Sequence, residues 1–234
     1  MSDFRGFPQA GQRAGSAVDG GLRAYMIRVY NYMSMGLVIT GLAGLLTLNS
    51  GLMPVLFGSP LKWVVLFAPL AMVMFMSFRL QSMSFGAAQT AFWVFSALMG
   101  VSLTPIALIY TGASIAKVFF ITAAAFASLS LYGYTTKRDL TGLGSFLFMG
   151  LIGIIIAGLV NLFLQSSAVS LALSVLGVLI FTGLTAWDTQ KIKSIYYSTN
   201  EAMLGHSAIN GALQLYLDFI NMFMSLLRLF GDRR

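Results

Sequence analysis

Asp218 lies within Ile209 to Phe230, a stretch otherwise apolar enough to cross a bilayer. On insertion scales a carboxylate at the middle of a spanning helix costs roughly 2.5 to 3.5 kcal/mol, so such residues are compensated, and they mark ion pathways or proton sites. A second carboxylate, Asp188, follows the apolar run Ala168 to Trp187. Thr189 to Ser198 (TQKIKSIYYS) contains no Gly or Pro and can continue that helix, while Asn200 to Gly205 (NEAMLG) supplies the next turn. With the first helix ending near Thr199 and the next starting near His206, the two form an antiparallel hairpin. Asp188 then stands about 11 residues from the turn and Asp218 about 12, roughly 16 to 18 Å along each arm at about 1.5 Å per residue. The carboxylates come out level. Spacing fixes their depth, not the direction in which they point.

Two carboxylates at close range in a poorly hydrated place cannot both ionise freely, and they titrate as a coupled pair. Such a pair is a proton sensor. When ionised, the same oxygens attract a hard cation, yet Ca²⁺ prefers about six to eight oxygen ligands and the chain offers few others at this depth. Weak, transient cation contact suits conduction better than storage. Plainer readings stand beside this one. Asp218 also reads as a structural group neutralised by an arginine such as Arg79, or held by Asn and Ser neighbours. Asp188 also reads as a solvated interfacial aspartate near Lys191 and Lys193. Arg79 is either a positive-inside anchor or a basic latch that locks one carboxylate.

The helix carrying Asp218 has a polar stripe. Ser207, Gly211, Gln214, Asp218, Asn221, Ser225 and Arg228 recur at steps of three and four and carry every strongly polar side chain of the helix except Asn210, while Leu, Phe, Ile and Met side chains cover most of the remainder. Lipid cannot satisfy such a stripe, so the helix is expected at the centre of a bundle.

The other elements follow from composition. Hydrophobic residues make up 58% of the 234 and charged residues 9%, against about 25% charged in soluble domains. The chain therefore reads as an all-α integral membrane protein, because long apolar runs dominate and the alternating pattern of a membrane β-barrel is absent. Seven spans are expected: Tyr25 to Leu48, Leu61 to Phe78, Ala87 to Tyr110, Ile115 to Tyr134, Leu143 to Leu164, Ala168 to Trp187, and Ile209 to Phe230. Residues 25–231 form one seven-helix domain, and residues 1–24 read as a disordered cytoplasmic tail, not a signal peptide.

The formal net charge of +7 reports topology, with no soluble basic domain to bind nucleic acid. With the amino terminus cytoplasmic, nine of the fourteen basic residues fall inside: Arg5, Arg13, Arg23, Arg28, Arg79, Lys137, Arg138, Lys191 and Lys193. Lys62, Lys117, Arg228, Arg233 and Arg234 fall outside, and that basic end leaves open six spans followed by a re-entrant helix. Gly150, Gly153 and Ala157, like Gly36, Gly41 and Gly44, suit close helix packing, and GVSLTP (Gly100 to Pro105) suits a bend. There is no cysteine and a single histidine, His206. This excludes thiolate chemistry and a self-sufficient zinc site. GASI (Gly112 to Ile115) is similar to the signature of intramembrane serine proteases, but those require an embedded histidine and His206 falls in an expected loop.

The segments GYTTKRDL (Gly133 to Leu140), FTGLTAWDTQKIK (Phe181 to Lys193) and LYLDFINMFMSLLRLFG (Leu215 to Gly231) closely resemble those of the Bax inhibitor family, also called the transmembrane Bax inhibitor motif family. The resemblance continues through IYTGASIAKVFFITAAAFASLSLYGY (Ile109 to Tyr134) and covers nearly everything after residue 25. It implies seven helices with the last surrounded by the others, and a pH-sensitive calcium leak attributed to aspartates on the sixth and seventh, here Asp188 and Asp218. It also implies a basic residue on the second helix that contacts the first aspartate, for which Arg79 is the available arginine. Some relatives carry an acidic residue in the second helix, whereas Leu61 to Leu80 has none. Eukaryotic relatives often end in a longer lysine-rich tail where this chain ends GDRR, so a bacterial inner membrane is the expected location. The leading expectation is a pH-sensitive calcium leak with no cofactor. The alternative is a non-enzymatic regulator of a membrane partner, such as a quality-control protease or a cell-death factor.

Overall fold

A computed structural model describes the backbone from residue 8 and the side chains from residue 20 to Arg234. Nine α-helices follow in chain order: α1 (Pro8–Asn49), α2 (Met53–Phe57), α3 (Leu61–Arg79), α4 (Phe85–Leu103), α5 (Ile106–Ile109), α6 (Gly112–Thr135), α7 (Thr141–Leu164), α8 (Ser167–Ser198) and α9 (Leu204–Phe230). All but α2 and α5 are long and apolar enough to span a membrane, which gives the seven expected spans. Most of the segment read as a tail lies outside the residues whose side chains are described. Its last part, Gly20 to Ala24, already belongs to α1, and Leu22 is buried. The first span therefore starts before Tyr25.

Local chemistry sets the breaks. Ser84, Thr111 and Ser166 cap the starts of α4, α6 and α8, their hydroxyls accepting from the N–H of Ala87, Ser114 and Val169 at 3.3, 3.2 and 3.4 Å. Pro105 separates α4 from α5, as the GVSLTP segment leads one to expect, because its ring cannot donate to the preceding turn. Between α7 and α8, Gln165 takes a left-handed conformation (φ 49°), and Asn161 Oδ1 accepts the Ser166 N–H at 3.1 Å to close the turn. At the start of α7, hydrogen bonds from the side chain and backbone of Thr141 hold the exposed Asp139 carboxyl below its ordinary value. The stability this adds is present at neutral pH and is lost as pH falls through the lowered value.

The bundle is arranged around α9, which touches α8, α1, α6 and α4. In its most apolar stretch 61% of residues are buried, against 6% for α7. Ile209, Leu215, Tyr216, Met222 and Leu227 are wholly enclosed. The rim faces outward with large apolar side chains such as Phe78, Phe120 and Phe163, as lipid requires. α9 runs the full length of the bundle. Beyond its end the Asp232 carbonyl accepts the Thr111 N–H at 3.1 Å, and the Arg234 N–H donates to the Ile109 carbonyl at 2.9 Å. The chain thus finishes beside the α5–α6 junction, at the end away from the α6–α7 connection, and the re-entrant alternative is corrected to a full seventh crossing.

Helices in lipid gain little from excluding water and rely on close backbone approach. A Cβ at Gly133 on α6 would lie 2.9 Å from the Ala186 carbonyl carbon of α8, and one at Gly100 on α4 would lie 2.9 Å from the Ala43 Cβ of α1. Of the small residues singled out from sequence, Gly36, Gly44 and Gly150 do pack closely. Gly41 and Gly153 have nothing within 4 Å. Gly133→Val is expected to destabilise by about 1 to 3 kcal/mol through overpacking against backbone, lowering the thermal midpoint in detergent by about 2 to 4 °C per kcal/mol. Gly153→Ala should leave it within about 1 °C, since no neighbour is displaced. Equal midpoints for the two variants in circular-dichroism melts would refute this account of the α6–α8 seam.

Candidate functional site

Asp188 stands on α8 and Asp218 on α9, the pair of helices with the most extensive contact in the molecule. Both carboxyls are buried, 8% and 4% exposed, and they lie near enough for each to act on the other. The level expected from the hairpin spacing is correct, and the side chains also face one another. Oδ2 of Asp218 is buried and receives no hydrogen bond from any donor among the described residues. Two ionised carboxylates in contact repel in so poorly hydrated a place, whereas one shared proton turns the contact into a charge-assisted hydrogen bond.

Among the described residues, Lys191 is the cation near enough to act on both carboxyls. It lies three residues beyond Asp188, so the helical repeat puts it on the same face one turn nearer water. Its ammonium is 4.9 Å from the Trp187 ring centroid and donates to Gln214 Oε1 at 3.5 Å. Gln214 in turn sits four residues before Asp218. An exposed lysine therefore stands above two enclosed acids. The structure does not bring Arg79 to the pair: it is exposed at the end of α3, where a long basic side chain reaches the interface, and it does not act on either carboxyl.

The rest of the stripe is only partly drawn to the site. Asn221 Nδ2 donates to the Leu217 carbonyl at 2.8 Å and Ser225 Oγ to the Asn221 carbonyl at 2.8 Å, so both satisfy their own helix instead of Asp218. Arg228 is exposed near the far end of α9. The reading in which Asn and Ser neighbours hold Asp218 is thereby corrected. His206 falls in the first turn of α9, not in a loop, with Nε2 2.9 Å from the Met83 carbonyl. Ser114 lies at the opposite end of the bundle, accepting from the Asp232 N–H at 2.9 Å, so the two cannot form a catalytic dyad.

Sequence reasoning missed how Asp188 is held in place. Gln190 Oε1 accepts the Leu140 N–H and Gln190 Nε2 donates to the Arg138 carbonyl, both at 2.8 Å, while Lys193 Nζ donates to the Tyr134 carbonyl at 2.9 Å. The inner part of α8 is thus tied to the α6–α7 connection. Gln190 and Lys193 in the TQKIK segment carried that signal, since residues three apart share one face of a helix. A second buried node was also missed: Tyr216 Oη and Thr40 Oγ1 are 2.6 Å apart, and the Thr40 hydroxyl also lies 2.9 Å from the Gly36 and Ser96 carbonyls. Phe92 and Phe95 pack edge-on against the tyrosine ring at 6.0 and 5.3 Å.

Among the described residues no group of three or more His, Cys, Asp or Glu could hold a metal ion. Two carboxylates offer at most about four oxygens, short of a calcium cage. The cavity of about 760 Å³ between α1 and α6 reaches Ser130 and Phe219 but is not lined by either aspartate.

Fold and site together define an integral membrane protein of seven spanning helices with a buried acid pair at its core. Residues 22–234 match the family model described as inhibitor of apoptosis-promoting Bax1. The chain is 46% identical to the Escherichia coli inner membrane protein YbhL over 219 residues, covering 92% of this chain and 94% of that protein. It is 49% identical to a Rickettsia prowazekii protein, covering 92% of each, and 44% identical to a Caulobacter vibrioides protein over the whole of both. The chain belongs to the Bax inhibitor-1 family.

The natural chain has no cysteine, so introduced thiols report geometry directly. Asp188→Cys combined with Asp218→Cys is expected to bridge under oxidant or mercuric ion, and Asp188→Cys with Arg79→Cys is not. Mass spectrometry after cleavage between α8 and α9 for the first pair, and between α3 and α8 for the second, reads the result, and bridging of the second pair alone would overturn the placement of the acids. Tyr216→Phe removes one buried hydrogen bond and should cost about 1 kcal/mol of stability, read as a lower thermal midpoint.

Proposed function

We propose that this protein is a proton-gated cation leak of a bacterial inner membrane, passing Ca²⁺, in which Asp188 and Asp218 sense pH and touch the ion. The observation that carries this reading is the close approach of two buried carboxyls from neighbouring helices. With its shared proton the pair is neutral on balance with Lys191 and needs no other ligand. Without it, two negative charges in a medium of low polarisability repel, and a cation entering between them relieves the repulsion. Four oxygens bind such an ion too weakly to trap it, which suits passage. The calcium leak implied by the family resemblance points the same way.

The basic residues support an orientation. Arg23, Arg28, Arg79, Lys137, Arg138, Lys191 and Lys193 belong to helix ends and connections at one end of the bundle, so we assign that end and the amino terminus to the cytoplasm. α8 is 32 residues long, about 48 Å at about 1.5 Å per residue, and so exceeds a hydrocarbon core of about 30 Å. Asp188 is ten residues from the α8 terminus at Ser198, so the gate sits in the cytoplasmic half, with Lys191 at its mouth.

Flux into liposomes of purified protein tests this directly. Calcium entry is expected to change by at least about threefold between about pH 6 and about pH 8, as a coupled acid pair titrates. Asp188→Asn with Asp218→Asn should abolish that dependence. Entry that is the same at both pH values, or a pH dependence that survives the double substitution, removes the proposal.

A further inference from the structure

The seam between α7 and α8 carries two depressions in line. At the end bearing the α6–α7 connection, a polar one of about 420 Å³ is lined by Lys137, Arg138, Thr141, Trp187 and Lys191, with Asp139 its one acid. Farther along, an apolar one of about 380 Å³ is lined by Phe146, Gly150, Gly153, Ala157, Leu176 and Ile180. Close pairings mark the seam that joins them: Gly144 lies under the Trp187 ring, Gly183 against Leu147, and Gly150 against Ile180. Gly153, which a packing role would cover, has nothing within 4 Å. Gly153, with no neighbour over it, leaves the trough open beyond these close pairings.

We propose that this seam binds one anionic phospholipid, its phosphate among Lys137, Arg138 and Lys191 and one acyl chain in the trough past Gly153. Charge selects the headgroup, because three cations against one carboxylate leave the mouth net positive. Juxtamembrane basic side chains contribute about fivefold each to binding an anionic surface. Length selects the chain. Phe146 to Ala157 spans about 16 Å of helix rise, close to one leaflet of a hydrocarbon core of about 30 Å. Trp187 stands at the join, half-buried, where an amphipathic ring marks the border between headgroups and chains. A soluble anion would use the mouth and leave the trough empty, and a neutral lipid would use the trough without the cations. Lys191 also faces the acid pair, so headgroup and gate share one cation.

Native mass spectrometry of the full chain released from micelles doped with phosphatidylglycerol or phosphatidylcholine of identical chains tests the site. The wild type is expected to retain one phosphatidylglycerol at least about tenfold better than phosphatidylcholine. Lys137→Gln with Arg138→Gln, both at exposed positions, should cut that retention about twenty-fivefold, the product of two fivefold losses. Gly153→Leu should cut it with the headgroup cations intact. A Cβ there has nothing within 4 Å, and an unchanged circular-dichroism melt shows that the fold is kept. Equal retention of the two lipids, or phosphatidylglycerol retention unaffected by both variants, overturns the proposal. Displacement of the lipid by inorganic phosphate alone also overturns it, because the trough would then play no part.

Discussion

An acid on α8 meeting an acid on α9, out of reach of bulk water, constrains much of the surrounding structure. A lone buried carboxylate would be intolerable, and a lone pair of them worse, unless a proton or a cation stands between. Each neighbouring feature keeps the two at that distance. Gly133 lets α6 lie directly on the α8 backbone at Ala186, Gln190 and Lys193 fasten α8 to the α6–α7 connection, and Gly211 admits Ile192 where α9 crosses. Replacing any of these contacts by a looser one would let the two carboxyls drift apart.

The packing inverts the soluble rule. The span of lowest mean hydropathy, that of α9, is the most enclosed, and the most uniformly apolar, α7, is the most exposed. This is the arrangement that hydrocarbon solvent imposes, since polar groups find partners only inside the bundle. It also explains why so many Ser and Thr hydroxyls, among them Thr40, Thr122, Thr185 and Thr189, donate to the carbonyl four residues earlier. A helix without water satisfies such groups from its own backbone.

Much of this was legible in the sequence. The apolar runs marked seven spans, the three-and-four spacing of Gln214, Asp218, Asn221 and Ser225 marked the central helix, and counting back from NEAMLG put Asp188 and Asp218 level. What spacing could not reveal was rotation about the helix axes. That is why Arg79 was a plausible latch and proved exposed, why Lys191 passed for an ordinary interfacial charge, and why Asn221 and Ser225 were credited with bonds they make to their own helix. Tyr216 escaped notice because its ring suits the apolar face, while its hydroxyl partner, Thr40, is 176 residues away in sequence. Gly153 and Gly150 look identical in the sequence, yet only one is covered.

The central position of α9 bears on biogenesis. The six spans around it precede it in the chain, so they leave the ribosome as a cup with a vacant middle. Thr40 and Asp188 are then without the neighbours that α9 supplies. Being the least apolar span, α9 is a weak substrate for the insertion machinery on its own, and it gains its place by completing a receptacle already built. Translation halted before Leu204 would leave that receptacle open to lipid, the kind of half-made protein that membrane surveillance must recognise.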